Sequence, residues 1–197
     1  VVFAPFALPG EKILAKVWRN EANCSHADLV EILKPSPDRV EPRCPHFATC
    51  GGCQYQHLPY EKQLGWKTRQ VRELLSHMVG IEAKVNPTVP SPKQWGYRSK
   101  ITPHFQRPKP GEDFPIGFLE FNRRTRLVDI YNCPIAMDEI NEALQPIRDD
   151  VKSRAAEYKK GSTLLLRATE GRVETDHRAP VSEKVGNLKF HFLAGDF

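Results

Sequence analysis

Apolar and polar residues alternate through Lys12-Ile-Leu-Ala-Lys-Val-Trp18 and again through Ala27-Asp-Leu-Val-Glu-Ile-Leu33. A period of two belongs to strands with one covered face, so residues 1–43 are read as short β-strands. Pro9-Gly10 sets a turn before the first strand, and Asn20, Asn23 and Ser25 mark a polar turn between the two. Two or three strands make no stable sheet alone, so the segment is expected to be the remainder of a small β-barrel. Pro35, Pro37 and Pro42 then form a stiff connection. Tyr60, Leu64, Val71, Leu74, Leu75 and Met78 recur at helical spacing and predict a helix from Pro59 to Val79, closed by Gly80.

The period returns to two beyond that helix. Ile81–Val89 and Tyr97–Gln106 are predicted strands. The second sets Arg98, Lys100, Thr102 and His104 on one face and Tyr97, Ser99, Ile101 and Phe105 on the other. Arg107-Pro-Lys-Pro-Gly111 reads as a stiff basic loop. Pro115–Phe121 and Arg126–Tyr131 flank Asn122-Arg-Arg-Thr125 as a hairpin. Met137, Ile140, Leu144, Ile147, Val151 and Tyr158 restore helical spacing, with Pro146 expected to kink or split the helix and Gly161 to end it. Thr163–Thr169 and Arg172–Thr175 predict a hairpin turning at Glu170-Gly171, and Asn187–Leu193 a last strand. The fold class expected is α+β.

At 197 residues the chain can bury a core without disulfide staples. Its charge, 29 minus 24 or +5, permits a nucleic-acid partner but equally describes a solvated surface. Lys62, Lys67, Arg69 and Arg72 on the first helix read as such a surface. No long apolar run is present, so no membrane partner is expected. A monomer in a reducing compartment, cytoplasmic or nuclear, is the expectation. The first residue is Val1 and the only methionines are Met78 and Met137, as expected of a piece of a longer protein.

Five cysteines change this picture more than charge does. Cys44, Cys50 and Cys53 fall within ten residues as C-x5-C-G-G-C. The odd number and the clustering read as metal rather than disulfide, and soft thiolates select zinc or iron–sulfur clusters. The two glycines let the backbone curl around a large ligand with N–H groups free to face sulfur. A fourth ligand is needed. A structural zinc would take His57 or Cys133; a [4Fe–4S] cluster would take Cys133, which stands just past a predicted strand. Spacing leaves both open. Cys24 reads as a small buried side chain.

Arg43-Cys-Pro-His-Phe, followed by Cys50-Gly-Gly-Cys53-x-x-Gln56-His57-Leu-x-Tyr60-x-x-Gln63-Leu-x-x-Lys67, resembles the iron–sulfur segment of the RNA uracil-5-methyltransferases, which make 5-methyluridine in tRNA and ribosomal RNA with S-adenosylmethionine. Gly96-Tyr97-Arg98-Ser-Lys100 is similar to a strand of that family. Ile116-Gly117-Phe118 through Val128-Asp129-Ile130-x-x-Cys133-Pro134 is similar to the stretch carrying its fourth cluster cysteine. Ala7-Leu8-Pro9-Gly10-Glu11 and Arg39-Val40-x-Pro42-x-Cys44 resemble the second half of a TRAM domain, a small RNA-binding OB-like barrel. Tyr97-Arg-Ser-Lys-Ile-Thr-Pro-His-Phe105 is most like the fungal-type tRNA members.

The resemblance implies a partial TRAM domain at 1–43. It implies a central antiparallel-sheet-plus-helices domain at 44–197, with a [4Fe–4S] cluster on Cys44, Cys50, Cys53 and Cys133. His57 then keeps a structural or supporting role. The chain carries no glycine-rich cofactor loop, and Cys24 matches no catalytic motif. The family's nucleophilic cysteine and general base are therefore expected in an S-adenosylmethionine domain outside this stretch, and no catalytic residue is assigned. The implied role is the RNA-binding, cluster-bearing portion of an enzyme modifying a tRNA, with the T-loop as the expected target; this portion alone would be inactive. Arg98, Lys100, His104, Arg107 and Lys109, with Tyr97 and Phe105, are the expected RNA contacts. The competing reading of these residues is a polar sheet face packed on another domain. The competing reading of the chain is a non-catalytic, zinc-dependent RNA-binding module. Radical methylthiotransferases also join TRAM domains to clusters, but their C-x3-C-x2-C spacing is not found.

Overall fold

A computed structural model describes residues 1–109, 111–123 and 125–196. Pro110 of the expected basic loop, Arg124 of the expected hairpin turn and the terminal Phe197 lie outside the described residues. The chain forms two compact units: Val1–Ala48 with Cys53–Pro92, and Thr49–Gly52 with Lys93–Phe197. The division does not fall at residue 43. The helix after the cysteine motif belongs with the opening strands, and only residues 49–52 of the motif cross to the second unit.

In the first unit, β1 (Val2–Phe3), β2 (Lys12–Asn20) and β3 (Ser25–Lys34) form one sheet in the order β1-β3-β2. β2 and β3 are antiparallel from Lys12↔Lys34 to Asn20↔Ser25, with bulges that absorb mismatched lengths. Ahead of β2, the Glu11 carboxylate is 1% exposed. It accepts N–H bonds from Leu8 (2.8 Å) and Ser36 (3.1 Å) and a two-pronged bond from Arg39 (2.5 and 2.7 Å). That one side chain ties the strand entry, the strand exit and the proline-rich connection together.

The helix α1 (Tyr60–Val79) begins after Pro59, and Gly80 ends it in the left-handed region at φ 68°. The Gly80 and Ile81 N–H groups return to Ser76 O and Leu75 O, a closure that suits glycine because no Cβ opposes positive φ. No residue of α1 is buried. The strand expected at Ile81–Val89 does not form. Thr88 instead bonds Thr68 of α1 through its N–H (2.9 Å) and hydroxyl (2.8 Å), and Ser91 N–H donates to the Tyr60 hydroxyl (2.7 Å). Polar threonine and serine contacts hold this segment along the helix, where a strand partner is absent among the described residues.

In the second unit the expected strand Tyr97–Gln106 breaks into β4 (Lys100–Ile101) and β5 (His104–Phe105). Buried Pro103 lies between them, and proline cannot donate to a ladder. The hairpin β6 (Gly117–Leu119) and β7 (Leu127–Asp129) forms as expected, and β8 (Ser162–Thr163), β9 (Leu166–Thr169) and β10 (Arg172–Glu174) follow the second helix. β4 joins β9 and β10, while β5 joins β6, β7 and β8, so the chain changes sheet at Pro103. The single-strand alternation that placed Arg98, Lys100 and His104 on one face is thereby lost. The second helix, α2 (Asp138–Ser153), runs through Pro146 as one helix rather than two and is followed by a 3₁₀ turn at Ala155–Glu157. A last hairpin pairs β11 (Pro180–Val185), which the sequence pattern did not reveal, with β12 (Leu188–Leu193).

α2 buries Ile140 and Leu144 against Ile101, Ile130, Ala136 and Leu166; Val151 joins Phe105, Phe114 and Ile116. Arg148 of α2 is also fully buried. Its Nη1 donates to Ile116 O (2.6 Å), Ile130 O (3.1 Å) and Asp129 Oδ1 (2.8 Å), and its Nη2 to Asp129 Oδ2 (3.1 Å). Its guanidinium lies over the Tyr131 ring at 4.0 Å. The carbonyls it binds end the two hairpin strands, so one guanidinium fixes helix to sheet. No helix of the described residues is long and apolar enough to cross a membrane.

Candidate metal centre and nucleic-acid interface

Cys44 and Cys53 belong to the first unit. The Cys44 N–H donates to Gln56 Oε1 (3.0 Å), and Phe47 N–H returns to Cys44 O (3.0 Å), making a tight turn. Burial pushes the Cys44 thiol above its usual range and the neighbouring Cys53 pushes it further, while N–H groups of His46 and Phe47 pull the other way. Ala48, between Cys44 and Cys50, is held at φ 66°, a left-handed conformation that disfavours a Cβ by about 1–2 kcal/mol. His57 is 2% exposed, with neither ring nitrogen hydrogen-bonded. Its ring lies 5.1 Å from that of Phe47 and 6.4 Å from that of Phe6. Burial first, then the Arg39 charge, depresses its pKa to about 4. It is therefore a neutral ring in an aromatic niche.

Cys50 and Cys133 belong to the second unit. The 49–52 segment pairs with the β6–β7 hairpin: Gly51 N–H donates to Leu119 O (2.9 Å), Phe121 N–H to Thr49 O (2.7 Å), and Cys50 sits opposite Glu120. A Cβ on Gly51 would lie 3.1 Å from Leu119 O, so the first glycine of the motif is set by this close approach. The second supplies a donor: Gly52 N–H points at Cys50 Sγ at 3.4 Å. Cys133 is clamped by Asn141 in the first turn of α2, whose Oδ1 accepts the Cys133 N–H (2.8 Å) and whose Nδ2 donates to Cys133 O (3.1 Å). The sequence reading missed Asn141. An amide one turn into a helix, eight residues past a candidate ligand cysteine, is the signal that was available.

These residues suit a soft metal centre. None of the five cysteines is in a disulfide, and each is half-buried. A partly buried thiol whose ionisation is opposed by burial and by a second thiolate becomes a good ligand once a cation supplies the missing charge. The N–H aimed at Cys50 sulfur is the kind of bond that tunes iron–sulfur thiolates.

The expected RNA contacts fare unequally. Tyr97 and Arg98 are exposed and run beside the Cys133 turn: Gly96 N–H donates to Pro134 O (3.1 Å), Arg98 N–H to Ile135 O (2.8 Å) and Met137 N–H to Arg98 O (3.1 Å). Arg107 is exposed. Lys109 is exposed and pairs with Glu112 at 3.3 Å. Lys100 turns inward, its Nζ donating to Gly195 O (3.2 Å) and Asp196 O (3.0 Å); burial and then the Arg167 charge lower its pKa. His104 Nδ1 lies 2.7 Å from Thr163 Oγ1. Phe105 leaves the set: it is 3% exposed, its ring edge-on to Tyr158 at 4.8 Å, and a ring enclosed by core cannot stack on a base. Arg126, not anticipated, is also exposed, and next to it Thr125 O accepts a bond from Gln106 Nε2 (2.5 Å).

Cys24 is likewise not a buried core side chain. It stands half-exposed in the turn between β2 and β3, beside Glu21 and His26.

No established family profile matches the chain. Over its whole length it is 46% identical to a tRNA (uracil(54)-C(5))-methyltransferase of Schizosaccharomyces pombe, of which it covers 40%. Over 86% of its length it is 34% identical to the 23S rRNA (uracil(1939)-C(5))-methyltransferase RlmD of Pectobacterium atrosepticum, covering 37% of that protein. Its fold matches the crystal structure of Pyrococcus abyssi tRNA (uracil-54, C5)-methyltransferase in complex with S-adenosyl-L-homocysteine, at a TM-score of 0.65 and 21% identity, over all of this chain and 56% of that one. The chain thus spans about two fifths of the length of the curated relatives it matches. By sequence it is homologous to part of the length of RNA (uracil-5-)-methyltransferases.

Proposed function

We propose that this chain is the RNA-binding and cluster-bearing portion of an S-adenosylmethionine-dependent tRNA (uracil-5-)-methyltransferase that makes 5-methyluridine in the T-loop. The observation that carries the reading is the 46% identity, over the whole chain, to an enzyme named for uracil 54 of tRNA. On this reading β1–β3 is the remainder of a TRAM barrel, and Cys44, Cys50, Cys53 and Cys133 hold a [4Fe–4S] cluster. The cluster supplies cross-links between chain segments rather than substrate redox chemistry. The protein's own contribution is to hold those four sulfurs, to present Tyr97 and Arg98 to RNA from the loop packed against the Cys133 turn, and to present Arg107 from the segment after β5. An enzyme that must reach C5 of a stacked uracil extracts it from the loop, and offsets unstacking with backbone and aromatic contacts.

Iron and acid-labile sulfide analysis of anaerobically purified and reconstituted protein tests the cluster. About four irons and four sulfides per chain, abolished by Cys133→Ser, are expected for four-thiolate ligation. One zinc and no sulfide after reconstitution would replace this reading with a zinc-dependent RNA-binding module.

A further inference from the structure

Among the described residues, one set of three donors brings its ligand atoms within 4.8 Å of one another, and it lies away from the cysteine motif: Glu21, Cys24 and His26. All three come from the turn between β2 and β3 and the residues flanking it. Glu21 N–H donates to Cys24 O (2.8 Å), which closes the turn, and Ser25 Oγ donates to Asn20 Oδ1 (2.7 Å) across its base. The His26 ring stands between exposed Phe3 and exposed Trp18, each 5.6 Å away centroid to centroid, and this packing limits its rotation. Its Nε2 lies 3.4 Å from Glu21 Oε1 and 3.9 Å from Cys24 Sγ, and Cys24 Sγ lies 3.8 Å from Glu21 Oε2.

The two Glu21 separations are to different oxygens; taken one atom per residue, the three donors lie within 4.8 Å of one another. Zinc bond lengths of roughly 2.0–2.3 Å to O, N and S give tetrahedral edges of about 3.3–3.6 Å, so a cation would draw the three donors in by about an ångström or less. One thiol, one imidazole and one carboxylate form a mixed set that suits a borderline-soft cation and would be poor for calcium or magnesium. A sulfur has no part in an ordinary Glu–His ion pair, so the pair alone does not account for the trio. Arg19 is the competing group: its Nε stands 3.0 Å from Glu21 Oε1 and neutralises the carboxylate when no cation is bound.

We propose that Glu21, Cys24 and His26 form a second, surface metal site for zinc or a zinc-like divalent cation, with a fourth position open to solvent. It is independent of the Cys44–Cys133 set and of the function proposed above. Cobalt(II) is the probe, because thiolate ligation gives it a charge-transfer absorption that aqueous cobalt lacks. Wild type and Cys24→Ser, identical in the other four cysteines and both reconstituted with iron and sulfide, are titrated under reducing conditions. Wild type should bind one more cobalt per chain than Cys24→Ser, with the thiolate band lost in the variant and displaced one-for-one by zinc. His26→Gln should lose the same band, and Arg19→Ala should tighten binding by removing the competing guanidinium. Both changes sit at strand ends beside the turn, and unchanged far-ultraviolet dichroism separates loss of metal from loss of fold. Equal stoichiometry and spectra in wild type and Cys24→Ser, or filling only at millimolar metal, would overturn the assignment.

Discussion

Each unit is pinned by an arginine–carboxylate pair, and the two pairs are built in opposite senses. In the first unit the carboxylate is hidden: Glu11 is 1% exposed and Arg39 19%. In the second the guanidinium is hidden: Arg148 is 0% exposed and Asp129 31%. Their surroundings differ as well. Among the described residues only Leu8, Ala27 and Leu58 form buried apolar positions in the first unit, against fourteen in the second. A buried ion pair contributes little net stability against an apolar replacement, but removing one partner leaves the other stranded at large cost. The second unit has a core that would survive a change of pin; the first relies on its polar knot. That contrast predicts which unit yields first and under what condition.

Arg148→Ala should have the largest effect, about 3–5 kcal/mol, because it strands the Ile116 and Ile130 carbonyls together with Asp129. Denaturant melts followed by hydrogen exchange of α2 amides would read it. Arg148→Met should recover part of the loss if the surrounding core can carry the site; no recovery would mean the core depends on the pin as much as the first unit does. Glu11 comes next. Arg39 holds its carboxyl down at about 2, overriding burial, with Leu8 and Ser36 N–H groups assisting. Against its ordinary 4.5 that depression corresponds to about 3 kcal/mol. The folded pKa is the lower one, so this stability is full above pH 4.5 and drains away as pH falls toward 2. His57 adds an earlier loss. Its folded pKa of about 4 lies below the ordinary 6.5, so the unfolded chain takes up its proton first and stability declines from pH 6.5 to 4. Exchange of β2–β3 amides, corrected for intrinsic pH dependence, should therefore quicken in acid before that of α2. Glu11→Gln should flatten only the limb below pH 4.5. An unaltered acid limb in that variant would remove Glu11 as the pin.

How far the sequence went depends on the same contrast. Strands β2 and β3, helix α1 and the β6–β7 and β9–β10 hairpins follow from local periodicity and turn residues, which act within a few positions. The break at Pro103 was visible in the residue type, yet alternation through 97–106 outweighed it. β11 was hidden because Pro180-Val-Ser-Glu-Lys-Val185 gains its strand character from β12 rather than from its own pattern. Neither Arg148 nor Glu11 could be read as a buried pin, since a charged residue is buried only when distant chain supplies its partners. Of the candidate site, the cysteine spacing was legible, and so was exposed Arg98. Phe105 was misplaced because burial of an aromatic is decided by Phe114, Tyr158 and Ile116, far along the chain. The Glu21–Cys24–His26 trio was within reach, as three donor residues spaced around one turn.

A smaller effect tests the joint between the second unit and the proposed cluster. Asn141→Ala removes both side-chain bonds that hold Cys133 and should cost about 1–3 kcal/mol. If Cys133 is a cluster ligand, iron release to a chelator should quicken in this variant well before the fold is lost. Gln56→Ala, which removes the bond to the Cys44 N–H in the first unit, provides the matching measurement there. Faster release in one variant alone would show which unit governs cluster retention. Identical release rates to wild type in both would separate the cluster from these two clamps.

The smallest effect concerns which unit would carry the proposed RNA contacts. Lys12 and Lys16 on β2 are exposed in the first unit, as Arg98 and Arg107 are in the second. Phosphate contacts release counterions, so each one lost should lower the salt slope of binding by about 0.7 for single-stranded RNA. Arg98→Ala with Arg107→Ala should then reduce the slope by about 1.4 on a T-loop stem-loop, with affinity falling most at low salt. Lys12→Ala with Lys16→Ala gives the comparison at equal change in net charge, which removes long-range attraction as an explanation. Equal reductions in the two double variants would mean that both units track the backbone. A reduction confined to the lysines would move the interface to the strands of the first unit. It would leave Arg98 as a residue whose backbone pairs with the segment after Cys133 and whose Nε donates to Lys100 O at 3.2 Å.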